Sequence, residues 1–441
     1  MMPRHDRSPK VKEFVQAPFI RCPDCGAPEM FGVLMICDHH YVRRCISCWF
    51  DQRIKLPSLD KKIIYLDQFV ISNMMKELDP DRPAEQKGIK GGFYRTVFER
   101  LDRLTKLQLV VCPYSPIQDY ESLVDSRYAK LRGVFRHLSH GIGLHPPELL
   151  FHRQLLAAFR MWMWPEAPES VSEHADAFTG KFNVWFERFR IDLNYQLPGL
   201  ADSLRKMSEQ RTQHLRQVCT RWQSAPHFNF TEVFESELDS IVQGPWREHL
   251  AHAARLYAAQ QGKVEVDLEL LYPPSASTLI THMLGDLRHA GADDESAFAK
   301  IQQFFGSHSA HSVHYARITA LFWASIARDV RAGRSEEKFP RAGMMNDIDL
   351  FAAYSPFCDA LFVDNEMAHF ATQSELKQEL PDSCRLFSLS KDGDEEFLRY
   401  LEQIENAAQS AHLDAVAAVY GPDWPKPYID LLATLTSGSK S

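Results

Sequence analysis

No apolar run in this 441-residue chain reaches the roughly 18 residues that a bilayer crossing needs. The amino terminus, MMPRHDRSPKVKEF, has no apolar core of the signal-peptide kind. A soluble, cytoplasmic protein with no membrane partner is therefore the expectation. An excess of positive charge is also missing. The formal net charge is −8, which argues against strong non-specific DNA binding by the whole surface but not against a local basic face. From about 130 to 310 the chain is helical in pattern, and nothing in that stretch repeats at a fixed period. No nucleophilic side chain stands in a convincing catalytic setting. What remains is an ordinary globular composition, 45% hydrophobic, with length for two or three domains.

Nine cysteines are present, and five of them fall between positions 22 and 48. RCPDCG supplies Cys22 and Cys25, and RCISCW supplies Cys45 and Cys48, with nineteen residues between the pairs. Two C-x₂-C pairs at that separation fit a tetrahedral Zn²⁺ site on a zinc ribbon spanning 1–56. Gly26 supplies conformational freedom just past the second ligand. Cys37, His39 and His40 are read as bystanders on the intervening hairpin. Cys112, Cys219, Cys358 and Cys384 read as buried thiols of a reducing compartment.

The ribbon region differs in charge. Over residues 1–62, eleven Lys or Arg against seven Asp or Glu give +4, which leaves −12 for the remainder. Arg43, Arg44, Arg53 and Lys55 are candidates for phosphate contact, with Tyr41 and Trp49 available for stacking. A solvated surface on a small domain is an equal alternative.

A second feature lies at 346–368, NDIDLFAAYSPFCDALFVDNEMA. Asp347 and Asp349 open a helix-compatible run, and Asp347 also suits a helix amino-cap. Asp359 precedes a short buried strand at 360–363. Asp364 and Glu366 follow its carboxyl end, where open α/β sheets bind ligands. Carboxylates gathered there repel one another. A hard divalent cation with oxygen ligands relieves that cost.

This stretch resembles the carboxy-terminal half of a PIN domain, the metal-dependent nuclease fold. The resemblance implies an acid at the end of an opening strand, and KKIIYLDQFVIS supplies strand 61–66 followed by Asp67. It also implies a glutamate early in the helix after the second strand; LQLVVCPYSPIQDYESL supplies strand 107–112 and Glu121. Three ordered segments, about a third of the chain, carry the likeness.

The expected architecture is α/β: a PIN-like parallel sheet sandwiched by helices, with strands near 62–66, 107–112, 360–363 and 385–389. The core falls in two parts, 61–130 and 311–410, around a large helical insertion at 131–310. A segment at 411–441 ends in a polar tail, SGSKS. Within the insertion, VEVDLELLY (264–272) alternates enough to suggest a strand.

The resemblance implies a nuclease hydrolysing phosphodiester bonds, RNA rather than DNA, with Mg²⁺ or Mn²⁺ at Asp67, Glu121, Asp347 and Asp364. Asp67 and Asp347 would be core ligands, and Glu121 a ligand or the group that orients the attacking water. Asp349 and Glu366 are substitutes for Asp364, because the family often has Ser or Thr before its last Asp and this chain does not. A toxin or host-defence setting is compatible with that activity. The alternative is a non-catalytic zinc-ribbon adaptor with an inert core that binds nucleic acid. A haloacid-dehalogenase-type phosphatase is disfavoured, since Phe69 stands where its second Asp belongs. Arg132 and His137 have the R-x₄-H spacing of HEPN-type ribonucleases, a pair that arises often by chance. His308, His311 and His314 lack an acidic or cysteine partner and read as a solvated or capping cluster.

Overall fold

The computed structural model describes residues 14–82, 92–123, 128–166, 176–186, 200–225, 227–333, 343–390 and 393–432. The expected tail at 437–441 and most of the amino-terminal polar segment lie outside them.

Four short strands open the chain: β1 (Gln16–Ile20), β2 (Phe31–Cys37), β3 (His40–Cys45) and β4 (Asp51–Lys55). They pair antiparallel in the order β1-β2-β3-β4. So small a sheet buries little apolar surface of its own. Phe31 packs with Cys22 and Cys45 at the knuckle end. Val33, Ile36, Tyr41 and Leu56 pack instead against Val416, Val419 and Tyr420 from near the other end of the chain.

The second sheet is parallel throughout. Its strands are β5 (Lys62–Leu66), β6 (Val110–Val111), β7 (Ala360–Phe362) and β8 (Arg385–Phe387), in the order β6-β5-β7-β8. Strands covered on both faces are continuous apolar runs rather than alternating ones. In β5, Ile63 to Leu66 are all buried.

The period of two along each strand divides the core. Ile64, Leu66, Val110, Ala360 and Phe362 face α1 (Gln68–Leu78), α2 (Phe93–Lys106), α4 (Tyr128–Ser139) and α16 (Gly393–Asn406). Between α2 and α4 lies the short helix α3 (Pro116–Leu123). Ile63, Tyr65, Val111, Leu361 and Val363 face the other layer. That layer comes mainly from the insertion, α5 (Pro147–Met163), α6 (Leu200–Ser224), α7 (Phe230–Gln260), α9 (Ser275–His289) and α10 (Asp294–Phe305), joined by α12 (His314–Arg331) just beyond it. One-turn helices α8 (Leu268–Leu271) and α11 (His308–His311) sit among them. The insertion is therefore one wall of the sandwich and shares its core. The remaining helices are α13 (Met344–Tyr354), α14 (Asn365–Ala371), α15 (Ser374–Glu379) and α17 (Ser410–Tyr420).

The strand expected at 264–272 is not formed. Residues 264–267 are irregular, and the last part is the turn α8. Val264 and Val266 are exposed, and among the described residues no neighbouring strand offers a hydrogen-bonding edge. Alternation without a partner does not make a strand.

Candidate functional site at the carboxyl edge of the parallel sheet

Strands β5 and β7 are neighbours in the register Ile64↔Ala360 to Leu66↔Phe362. The Asp67 N–H continues the ladder, donating to the Phe362 carbonyl at 3.0 Å. Asp67 and Asp364 thus follow adjacent strand ends. From β5 the sheet grows one way to β6 and the other way to β7 and β8. That reversal is the switch point where open parallel sheets form a crevice.

Both aspartates are helix caps. Asp67 caps α1, its Oδ1 accepting from the Gln68 N–H at 2.5 Å. Asp364 caps α14, its Oδ1 accepting from the Met367 N–H at 2.8 Å. Asp347, for which an amino-cap was the alternative to a ligand role, is not a cap. Gly343 holds that place, and Asp347 lies a turn inside α13. The helix aims it at the sheet edge, where it lines a cavity of about 10 Å³ with Tyr65, Asp67, Leu350, Phe351, Leu361, Val363 and Met367.

Glu121 reaches the same edge on α3. The helix is pinned there because Gln118 Nε2 donates to the Leu66 carbonyl at 2.5 Å and Gln68 Nε2 donates to Ser122 Oγ at 2.9 Å. Asn346, the residue before Asp347, donates from Nδ2 to Glu121 Oε1 at 3.0 Å. Under this edge is Tyr65. Burial pushes its phenol well above the ordinary value, and the charges of Tyr354, Asp67 and Glu121 push it further. The two acids therefore act on one buried hydroxyl, which also pairs with Ser115 Oγ at 3.3 Å.

Of the candidate acids only Asp67 and Asp347 line this cavity; Glu121, Asp364, Asp349 and Glu366 do not. Asp349, two positions along the helix, turns toward α12 and accepts from the Tyr315 hydroxyl at 2.8 Å. Burial raises its pKa to about 6. Asp359 holds the opposite end of the sheet, accepting from Lys62 Nζ and the Ile63 N–H, both at 2.8 Å.

No protein-family model, curated protein or solved structure matches the chain.

The amino-terminal cysteines form a tighter set. The sulfurs of Cys22, Cys25, Cys45 and Cys48 all lie within 4.8 Å of one another. Cys22 and Cys48 are 3.7 Å apart, and Cys25 and Cys45 are 3.8 Å apart. A tetrahedron with metal–sulfur bonds of about 2.3 Å has edges of about 3.75 Å. The two knuckles also repeat each other. Gly26 N donates to Cys22 O at 3.1 Å and Trp49 N to Cys45 O at 3.0 Å, with φ of +69° at Gly26 and +66° at Trp49. The set can hold a structural metal ion such as zinc. Cys37, His39 and His40 lie at the β2–β3 hairpin, outside it. Among the described residues, these cysteines are the only three or more His, Cys, Asp or Glu so closely gathered. The acids at the sheet edge share a region but are more widely spaced.

Of the proposed phosphate contacts, Arg43 is a correction. It is 2% exposed, and its guanidinium donates to the carbonyls of Pro18, Phe31 and Ala418 at 2.6 to 2.9 Å. It fastens the ribbon to α17. Tyr41 is buried and unavailable for stacking. Arg44 is held by Asp51 at 2.6 Å, while Arg53 and Lys55 are exposed on β4. His137 is structural: its Nε2 is 2.8 Å from Oδ1 of the buried Asp102. His314 Nε2 pairs with Ser355 Oγ at 2.9 Å, and His311 Nδ1 with the Ser307 carbonyl at 2.8 Å.

Sequence reasoning missed Asn346, Gln118 and Tyr65, which orient the edge. Asn346 could have been found as the polar neighbour of Asp347. Gln118 and Tyr65 carried no separate signal.

Proposed function

We propose that the chain is a metal-dependent phosphodiester hydrolase, a PIN-like ribonuclease, with a zinc-bearing ribbon. One observation carries the reading: Asp67 and Asp347 line the same cavity at the switch point of a parallel sheet. Glu121 and Asp364 stand at the same edge, and the ordered resemblance to PIN segments supports the assignment. Mg²⁺ or Mn²⁺ bound by these carboxylates would supply Lewis acidity toward the phosphoryl oxygens and a bound water of lowered pKa. Asp67 and Asp347 are the residues to hold it, with Asp364 completing the set. Glu121, which accepts from Asn346 Nδ2, would orient the attacking water or add a ligand. Zn²⁺ held by Cys22, Cys25, Cys45 and Cys48 would be structural. The free cysteines suit a reducing, cytoplasmic setting, and a toxin or defence role is consistent with such an activity.

The second reading is a nucleic-acid-binding adaptor with an inert core. It is favoured by the capping roles of Asp67 and Asp364 and by the wide spacing of the acids. Incubation of the purified chain with labelled single-stranded RNA and DNA, with Mn²⁺, Mg²⁺ or neither, separates the two. Cleavage that needs the cation and disappears in Asp67→Asn supports the hydrolase. Binding without cleavage under all conditions supports the adaptor.

A further inference from the structure

Arg211 stands on α6, in the wall supplied by the insertion, far in sequence from every acid of the candidate site. Its guanidinium nonetheless reaches the acidic edge. Nη1 donates to Asn346 Oδ1 at 2.9 Å, and Asn346 donates on to Glu121 Oε1 at 3.0 Å. One amide thus joins a cation of the insertion to a carboxylate of the sheet edge, next to Asp347. The Arg211 side chain is exposed.

A phosphodiester approaching this edge meets Asp67, Glu121, Asp347 and Asp364, all of its own sign. A cation at the lip offsets that repulsion. Arginine suits the task because its planar fork presents five N–H donors and matches two phosphate oxygens at once. One bond to Asn346 leaves the guanidinium with donors to offer. The helix itself is cationic: five Lys or Arg against two Asp or Glu over Leu200–Ser224, in a chain of net charge −8.

We propose that Arg211 holds a backbone phosphate of single-stranded RNA at the lip of the acidic site, and that Asn346 fixes the guanidinium relative to Glu121. The inference rests on the hydrolase reading above. It moves substrate contact from the ribbon to the insertion, and it gives that wall a role in recognition as well as in packing.

The test is binding of a fluorescently labelled single-stranded RNA to the full chain, followed by anisotropy without added Mn²⁺ or Mg²⁺, at low and moderate salt. Arg211→Gln should weaken binding about ten-fold and reduce the salt slope by about 0.7, the loss of one phosphate contact. Arg211→Lys should recover part of the affinity, since the charge returns without the fork. Lys206→Gln is the control. It is exposed on the same helix but about 140° around the axis, and should stay within about two-fold. Melting curves in the same buffer confirm that each variant is folded. With Mn²⁺ present, Arg211→Gln should raise KM more than it lowers kcat. Wild-type affinity in Arg211→Gln, or an equal loss in Lys206→Gln, overturns the inference. If the wild type binds and cleaves while Arg211→Gln is unchanged, Arg211 alone is misassigned. If the wild type neither binds nor cleaves, the hydrolase reading falls and this inference with it.

Discussion

Asp67 and Asp347 line one small cavity, although the entire helical wall separates them in the chain. Asp67 is placed by the end of β5 and by its bond to the α1 amino terminus. Asp347 is carried by the first turn of α13 and caps no helix. Their different supports give different expectations for substitution.

At Asp67, alanine removes the cap of α1 and should lower stability by about 1 kcal/mol without metal. Asparagine caps about as well and relieves like-charge repulsion. Asp67→Asn should therefore melt at or above the wild type, and Asp67→Ala below it. Asp347→Asn lacks any capping role and should not destabilise. Thermal melts of the three variants in metal-free buffer check this. A drop in Asp347→Asn equal to that in Asp67→Ala would mean that Asp347 has a structural role.

The ribbon should carry one zinc per chain, measurable by elemental analysis. Cys45→Ser should lose it and Cys37→Ser should keep it. Metal supplies much of a ribbon's folding energy. Because Val33, Ile36 and Tyr41 pack on α17 and Arg43 bonds to the Ala418 carbonyl, zinc loss should also loosen α17. Hydrogen exchange at 410–420 would show it, and unchanged protection there would contradict the packing.

Asp349 should make stability depend on pH. Its folded pKa of about 6 lies above the ordinary 3.8, because burial disfavours its charge. Its contribution is fully present below pH ~4 and is lost as pH rises through ~6. The loss is on the order of 3 kcal/mol. Asp349→Asn keeps an acceptor for Tyr315 and should flatten the melting profile between those values, with a gain at pH 7.5. An unaltered profile would show that Asp349 does not titrate as described.

Asp102 should be a stability node rather than part of any ribonuclease centre. It is fully buried and bonds to His137 Nε2 at 2.8 Å, Lys106 Nζ at 2.8 Å and the Tyr428 N–H at 2.6 Å. Breaking a buried pair of this kind costs about 3–5 kcal/mol. His137→Ala should lower the melting temperature yet leave metal-dependent cleavage per folded molecule intact. Loss of cleavage in His137→Ala but not in Asp67→Asn would favour a HEPN-type mechanism.

What the sequence made legible follows from how local each signal is. Strands β5 and β7 were readable because a fully buried parallel strand is an unbroken apolar run with an acid at its end. The cysteine set was readable because knuckle spacing is itself the geometry. Arg43 was misread because its burial depends on Ala418, at the other end of the chain. For Asp347 the sequence left a cap open beside the ligand role, because nothing local shows that the helix begins at Met344. The link from Arg211 through Asn346 to Glu121 joins three distant segments, and only the folded chain brings them together.

The most direct test of the shared site is the Mn²⁺ shift in melting temperature of the wild type, Asp67→Asn and Asp347→Asn, read beside Mn²⁺-dependent cleavage of single-stranded RNA. A ligand that binds the folded state raises its stability by mass action. The expected result is a clear shift and cleavage in the wild type, and loss of both in each variant. A shift that survives in both variants, or cleavage by either, would contradict a metal held by Asp67 and Asp347 together.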